Sequence, residues 1–198
     1  MKSKESLQLY FEFANGSYSD NYSHPELHNL KYFNSVLDIN GFIATDDIKT
    51  TLYIAFRGTE SKFKDVFNDL LFNKSTMPFY INSNNKKVKV HSGFMYGYSS
   101  VREAILKKVT SNTQRIIITG HSQGGALATL CALDLKNNFE NKIIECYSYG
   151  SPRVGNKHFV KDFNNKDIKS FRVVNGSDVV TSYLLQSQNP FTNGLFCS

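Results

Sequence analysis

The hydrophobic positions of the chain form short runs of strand length that alternate with patterns of helix length. The runs of strand type cover 35–44, 50–56, 88–94, 115–119, 143–150 and 169–174. Apolar residues at helical spacing predict helices from residue 6 to about 16 and over 61–72, 95–110, 124–133 and 157–164. Because helices alternate with strands in the second half, we expect an α/β fold whose central sheet is mostly parallel and has helices on both faces.

The composition is that of a globular protein without a concentrated basic surface. The 198 residues are 40% hydrophobic and 20% charged, which is compatible with one domain and excludes a disordered chain. The formal net charge is +6, but lysine and arginine are scattered, and the longest basic run is Lys86-Lys87-Val88-Lys89. We interpret this run as a solvated loop or an edge strand, so no nucleic acid partner is expected.

The cysteine pattern argues against a cross-linked or metal-binding protein. The 3 cysteines show no C-x-x-C spacing, and Cys131 lies in an apolar helical pattern that predicts a core position. We therefore expect no metal and no cofactor. Neither a signal peptide nor a segment of membrane-spanning length is recognisable, so the default expectation is a cytoplasmic protein.

The most informative stretch is Gly120-His121-Ser122-Gln123-Gly124, a G-x-S-x-G pentapeptide. The β-branched run 115–119 precedes it, and small, helix-favouring residues follow it. It therefore stands at a strand-to-helix turn, where this pentapeptide forms a nucleophile elbow. The glycines leave room for a tight turn, and the N-terminus of the helix favours an oxyanion beside Ser122.

Two further residues follow predicted strands at positions that suit a serine hydrolase. Thr59 comes after the strand at 50–56 and has a backbone N–H and a hydroxyl to stabilise an oxyanion, although it also fits a strand-end turn with a helix N-cap. Asp178 comes after the strand at 169–174 and is the candidate triad acid, with an ordinary turn aspartate as the alternative.

The general base of such a triad is expected after the acid, yet no histidine follows Asp178. His121 stands inside the elbow and is expected to point away from the position of a base, and His91 is expected to be structural. The identity of the base is left open. The 5 histidines all precede Asp178: His24, His28, His91, His121 and His158.

Five motifs in a fixed order give the sequence a resemblance to a known family. The motifs are Phe56-Arg57-Gly58-Thr59, Val90-His91-Ser92-Gly93-Phe94, Gly120 to Ala128, Tyr149 to Asn156 and Arg172 to Val180. With these motifs the stretch from about Thr51 to Ser182 resembles the class 3 lipases, the family of fungal triacylglycerol lipases and plant phospholipase A1 enzymes.

The resemblance implies an α/β-hydrolase fold and a set of site residues. Ser122 is implied as the nucleophile, Asp178 as the triad acid, and Thr59 with the Gln123 N–H as oxyanion donors. The segment 60–66 is implied as a lid, although the helix predicted over 61–72 also fits an ordinary helix packed on the sheet. The resemblance ends after Ser182, so the chain is expected to be truncated or diverged before the family's last strand and catalytic histidine.

The sequence therefore predicts a single domain, 1–198, that hydrolyses carboxylic esters of lipids through an acyl-enzyme on Ser122. Its partner is a lipid ester substrate at a membrane or emulsion interface, and no oligomeric state is predicted. Two alternatives stay open: a lipase-like binding protein with impaired catalysis, and a soluble esterase that acts on small esters.

Overall fold

A computed structural model describes residues 4–58, the backbone of 74–75, and residues 88–174. Helices and strands follow one another in the order that the hydrophobic pattern predicts for most of this part. In chain order the elements are α1 (Lys4–Gly16), β1 (His28–Phe33), β2 (Gly41–Thr45), β3 (Thr51–Phe56), β4 (Lys74–Ser75), β5 (Val90–His91), α2 (Ser92–Leu106), β6 (Arg115–His121), α3 (Gln123–Asn138), β7 (Ile143–Tyr149), α4 (Lys157–Asn164) and β8 (Ile168–Val173).

Six of the strands form one sheet in the order β1-β2-β3-β6-β7-β8. The pairs β1–β2 and β2–β3 are antiparallel, and the pairs from β3 through β6 and β7 to β8 are parallel. The mostly parallel central sheet is therefore confirmed. Strands β4 and β5 form a separate antiparallel pair.

Each face of the sheet is covered by helices, as the alternation of side chains along β6 shows. Ile116 and Ile118 belong to a core that includes apolar residues of α2, α3 and α4. Ile117 points to the other face, where it joins a second core with Tyr10 and Phe13 of α1. Because successive side chains of a strand point to opposite faces, one short isoleucine run supplies both cores. Cys131 is buried in the first core, as predicted.

The predicted strand over 35–44 is wrong for its first part. Residues 34–40 form a connection between β1 and β2, and Asp38 in it has a φ of 56°, which a strand does not accommodate. Strand β1, which the sequence did not predict, is an outer strand of the described sheet, and its side chains are mostly exposed. Its pattern therefore lacks the apolar alternation that marks a buried strand.

The predicted strand over 88–94 is reduced to β5, and α2 begins earlier than predicted. The Nδ1 atom of His91 accepts a hydrogen bond from the N–H of Gly93 at 3.1 Å and so caps the helix. This contact confirms that His91 is structural. The helix predicted over 61–72 lies outside the described residues. Among the helices of the described ranges, none combines the length and the apolar character needed to cross a membrane.

A buried ion pair connects α2 to α3 behind the sheet. Asp134 is buried, and its carboxylate accepts hydrogen bonds from Arg102 Nε at 2.7 Å and Nη2 at 3.1 Å. The Tyr98 hydroxyl donates to the same carboxylate at 2.8 Å, and Asn138 Nδ2 donates to it at 2.9 Å. Because every contact supports the charged carboxylate, the pair fixes the relative position of the two helices.

Removing this carboxylate is expected to destabilise the protein strongly. Asp134→Ala should lower the free energy of unfolding by about 3–5 kcal/mol, because it leaves the Arg102 charge without its buried partner. Glu103→Ala is the matched control: Glu103 also contacts Arg102, at 3.1 Å, but is exposed, so its loss should cost less than about 1 kcal/mol. Urea unfolding measures both, and equal losses would contradict this account.

Candidate active site

Ser122 lies between the end of β6 and the start of α3, where the sequence predicts a nucleophile elbow. Its backbone has φ 57° and ψ −124°, a conformation that a residue with a Cβ adopts only under strain. The N–H of Ser122 donates to the carbonyl of Tyr149 at 2.9 Å, and its own carbonyl accepts from the N–H of Gly125 at 3.0 Å. These two bonds hold the strained residue at the strand-to-helix turn.

The turn is tight because backbone packs directly against backbone. A Cβ on Gly120 would lie 2.3 Å from the backbone of Gly124, and a Cβ on Gly124 would lie 2.3 Å from the carbonyl oxygen of Phe56. Separations this short cannot be relieved by turning a side chain. The flanking glycines therefore let the start of α3 rest on the ends of β3 and β6, in the tight turn that the sequence predicts.

Strand β3 brings the second predicted site segment to the elbow. A Cβ on Gly58 would lie 3.3 Å from the Cβ of Ser122, so the chain leaving β3 passes beside the serine. Thr59, the predicted oxyanion donor, is the next residue and lies outside the described residues. Its role stays a prediction, supported by the position of its neighbour.

The segment that leads to the predicted acid leaves the sheet at the same edge. Val173 is the last residue of β8, and its carbonyl accepts from the N–H of Gly150 at 2.9 Å, just after the end of β7. Asp178, five residues further along the chain, lies outside the described residues, as does the predicted lid at 60–66.

Gln123, the other predicted oxyanion donor, is the first residue of α3. Its peptide group therefore belongs to the positive end of the helix dipole, which favours negative charge near the serine. Of the predicted site residues, the structure describes Ser122 and Gln123, which are consecutive in the chain.

The N-terminal segment contributes a side chain that the sequence pattern does not reveal. The hydroxyl of Tyr18 lies 3.2 Å from Nδ1 of His121, and the Arg57 guanidinium lies 5.7 Å from the centre of the Tyr18 ring. A Cβ on Gly58 would lie 2.3 Å from that hydroxyl. Tyr18 thus supports both the elbow and the exit of β3. Its signal in the sequence is slight, because it lies 103 positions from the histidine it contacts.

The histidines have varied surroundings. The contact with Tyr18 directs the His121 ring toward the N-terminal segment, and His91 is the cap of α2. His24 packs edge-on against Phe13 at 5.1 Å, on the α1 side of the sheet. His28 begins β1, and His158 lies in α4.

Comparison with known sequences groups the chain with lipolytic proteins. The family described as Lipase (class 3) matches residues 53–188. The chain is 34% identical to a lipase of Rhizopus niveus over 157 residues. The aligned residues cover 75% of this chain and 38% of that protein. It is 38% identical to the chloroplastic phospholipase A(1) DAD1 of Arabidopsis thaliana over 113 residues. These aligned residues cover 51% of this chain and 25% of that protein. The chain thus spans less than half the length of these curated relatives.

A solved structure shows the same fold. The Rhizomucor miehei triacylglyceride lipase superposes with a TM-score of 0.77 and 28% identity, over 94% of this chain and 77% of that chain. Together with the observed strand order, this likeness confirms the expected α/β-hydrolase fold.

The strain at Ser122 can be tested by substitution. Ser122→Gly is expected to be about 1 kcal/mol more stable than Ser122→Ala, because glycine adopts a positive φ at lower cost. Urea unfolding of the two variants measures the difference. The same pair of substitutions at Lys49, which also has a positive φ, 56°, but lies in an exposed turn away from the elbow, is a positive control and should show a gain of the same sign. A Ser122→Gly variant no more stable than Ser122→Ala would contradict the strain.

Proposed function

The chain belongs to the class 3 lipase family, and from this membership and the elbow geometry we propose that it hydrolyses carboxylic esters of lipids through an acyl-enzyme on Ser122. The observation that carries the proposal is the strained backbone of Ser122 at the junction of β6 and α3. Backbone strain of about 1–3 kcal/mol per residue clusters at active sites, where the surrounding structure holds it in place. Lipase and phospholipase relatives supply the substrate class.

In the proposed reaction the Ser122 hydroxyl attacks the ester carbonyl as its proton passes to a general base. The tetrahedral intermediate has a negative oxygen, which the N–H of Gln123 and the Thr59 donor stabilise. Each such donor contributes roughly 3–4 kcal/mol to the transition state. The alcohol leaves with a proton from the base, and water then releases the fatty acid from Ser122.

Asp178 is the proposed acid that orients the base. Support comes from the chain order of the fold, in which the acid follows the nucleophile, and from the exit of β8 at the edge that carries Ser122. The same order places the base after the acid, and the 198 residues contain no histidine there. A lipase-like binding protein with impaired catalysis is the alternative against which the labelling and turnover experiments test this proposal.

A fluorophosphonate probe, which reacts with nucleophilic serines, is expected to label Ser122, and the labelling should be weak in a chain without the general base that activates the serine. Ser122→Ala should abolish the labelling, read as gel fluorescence and as a modified peptide by mass spectrometry. Ser92→Ala is the matched control, because Ser92 also begins a helix directly after a strand but lacks a positive φ. Labelling that persists in Ser122→Ala would refute the nucleophile, and a parent chain that resists the probe would favour the binding protein.

The 198-residue chain by itself is expected to hydrolyse long-chain esters slowly. Loss of the histidine of a serine triad lowers turnover on the order of 10⁶-fold. A pH-stat assay on a trioleoylglycerol emulsion, from about pH 5 to about pH 9, covers the range in which histidine titrates. Turnover in the ordinary enzyme range, roughly 1–10³ per second, would contradict this prediction. Single His→Ala variants would then identify the base.

A further inference from the structure

The connection between β1 and β2 presents apolar side chains at its tip. Residues Ser35 to Asp38 form a turn in which the N–H of Asp38 donates to the carbonyl of Ser35 at 3.0 Å. The two central residues are Val36, 99% exposed, and Leu37, 52% exposed. Turn tips in water are usually glycine or small polar residues. An exposed Val-Leu pair at such a tip departs from this preference, and its position in the fold decides what it can contact.

The turn holds these side chains away from the protein. The Ser35 hydroxyl accepts from the N–H groups of Leu37 at 3.2 Å and Ile39 at 3.3 Å, and it lies 2.8 Å from the Ser100 hydroxyl of α2. Ile39 is buried, and a Cβ on Gly97 of α2 would lie 3.0 Å from it. The base of the turn is thus fastened to α2, while its tip projects.

The tip lies at the edge of the sheet that carries Ser122. The strand register joins one row of residues across four strands: Phe33, Gly41, Phe56 and Gly120. Phe33 is the last residue of β1, and Gly120 is two residues before the serine. Three strand spacings, about 14 Å in all, separate β1 from β6. The tip and the elbow therefore leave the sheet on the same side.

A third exposed side chain extends this surface. Tyr96 of α2 is 60% exposed, and it lies one helical turn from Ser100, on the same helix face and closer to the N-terminus. That terminus is at the Ser122 edge of the sheet, because α2 leads back to the start of β6 at the opposite edge. Tyrosine suits a boundary with one apolar and one wet side. We call Val36, Leu37 and Tyr96 the edge patch.

We infer that the edge patch inserts into a lipid surface and holds the Ser122 edge of the protein against it. The inference rests on the proposed lipid substrate, which has to reach Ser122 from this edge. A lipid surface is the partner that fits, because the lipid substrate proposed for Ser122 is held in one and the exposed aliphatic side chains of Val36 and Leu37 stand at the edge from which it has to reach the serine. The residues on either side of the pair, Asn34 and Asp38, are polar and exposed. The patch's position at the same sheet edge as the elbow would orient the protein for a substrate held in that surface.

The absence of tryptophan from the sequence allows a direct test. Val36→Trp places a single tryptophan in the edge patch. Ile48→Trp is the matched control, because Ile48 is 73% exposed in the turn between β2 and β3, at the opposite edge of the sheet. With vesicles of dioleoylphosphatidylcholine, the emission of Val36→Trp should shift to the blue and be quenched by brominated lipid. An unshifted Val36→Trp, or an equal shift at Ile48→Trp, would overturn the inference.

Binding without a probe gives a second measurement. The double variant Val36→Ser/Leu37→Ser should bind the same vesicles at least tenfold more weakly, because burial of each such side chain changes partition by about tenfold or more. Ile48→Ser should stay within about twofold of the parent chain. Uncharged vesicles at about 0.15 M ionic strength minimise attraction from the net positive charge. Unchanged binding of the double variant, or a parent chain that does not bind, would overturn the inference.

Two controls separate this inference from its alternatives. Fluorophosphonate labelling of Ser122 reports on the proposed function. If the parent chain resists the probe but binds vesicles, and the double variant binds them more weakly, the lipid contact of the edge patch is supported and the catalytic proposal is not. Sedimentation equilibrium without lipid tests whether a second copy of the chain covers the patch. A dimer of the parent chain that the double variant abolishes would assign the patch to self-association and overturn the lipid partner.

Discussion

The direct contact of backbone with backbone at the elbow is the constraint on which the rest of the structure depends. The carbonyl of Phe56 and the peptide of Gly124 approach so closely that no Cβ fits between them, and the same holds for Gly120. This contact brings the start of α3 down onto two neighbouring strands. A larger residue at either glycine would lift the helix and remove the turn that forces Ser122 into its strained conformation.

Elements on both faces of the sheet support the elbow, and they do so through different interactions. On one face α3 packs against α2 through the ion pair of Asp134 with Arg102. This pair holds α3, whose first turn forms the elbow, at a second point further along the helix. On the other face the Thr119 hydroxyl donates to the carbonyl of Tyr10 at 2.9 Å, and Tyr18 contacts His121. The N-terminal segment is therefore part of the site's support rather than an appendage.

The sequence was informative where local pattern and burial agree. The run 115–119 predicts β6 because both faces of that strand are buried, and small residues after Gly120 predict the elbow helix. It failed for β1, an outer strand whose mostly exposed side chains leave no apolar period. It also failed for Tyr18, whose partner is distant in sequence. For Thr59 and Asp178 the chain order of the fold remains the argument, since both lie outside the described residues.

The topology places the proposed lipid-facing tip and the proposed nucleophile, Ser122, at one edge of the sheet. Strand β1 runs in the same direction as β3 and β6, so the connection after Phe33 and the turn after Gly120 emerge from one edge of one sheet. Hydrogen bonds within the turn and to Ser100 fix the tip before any surface is met. Binding then costs little conformational entropy. The rigid sheet converts insertion of Val36 and Leu37 into a defined orientation of the Ser122 edge.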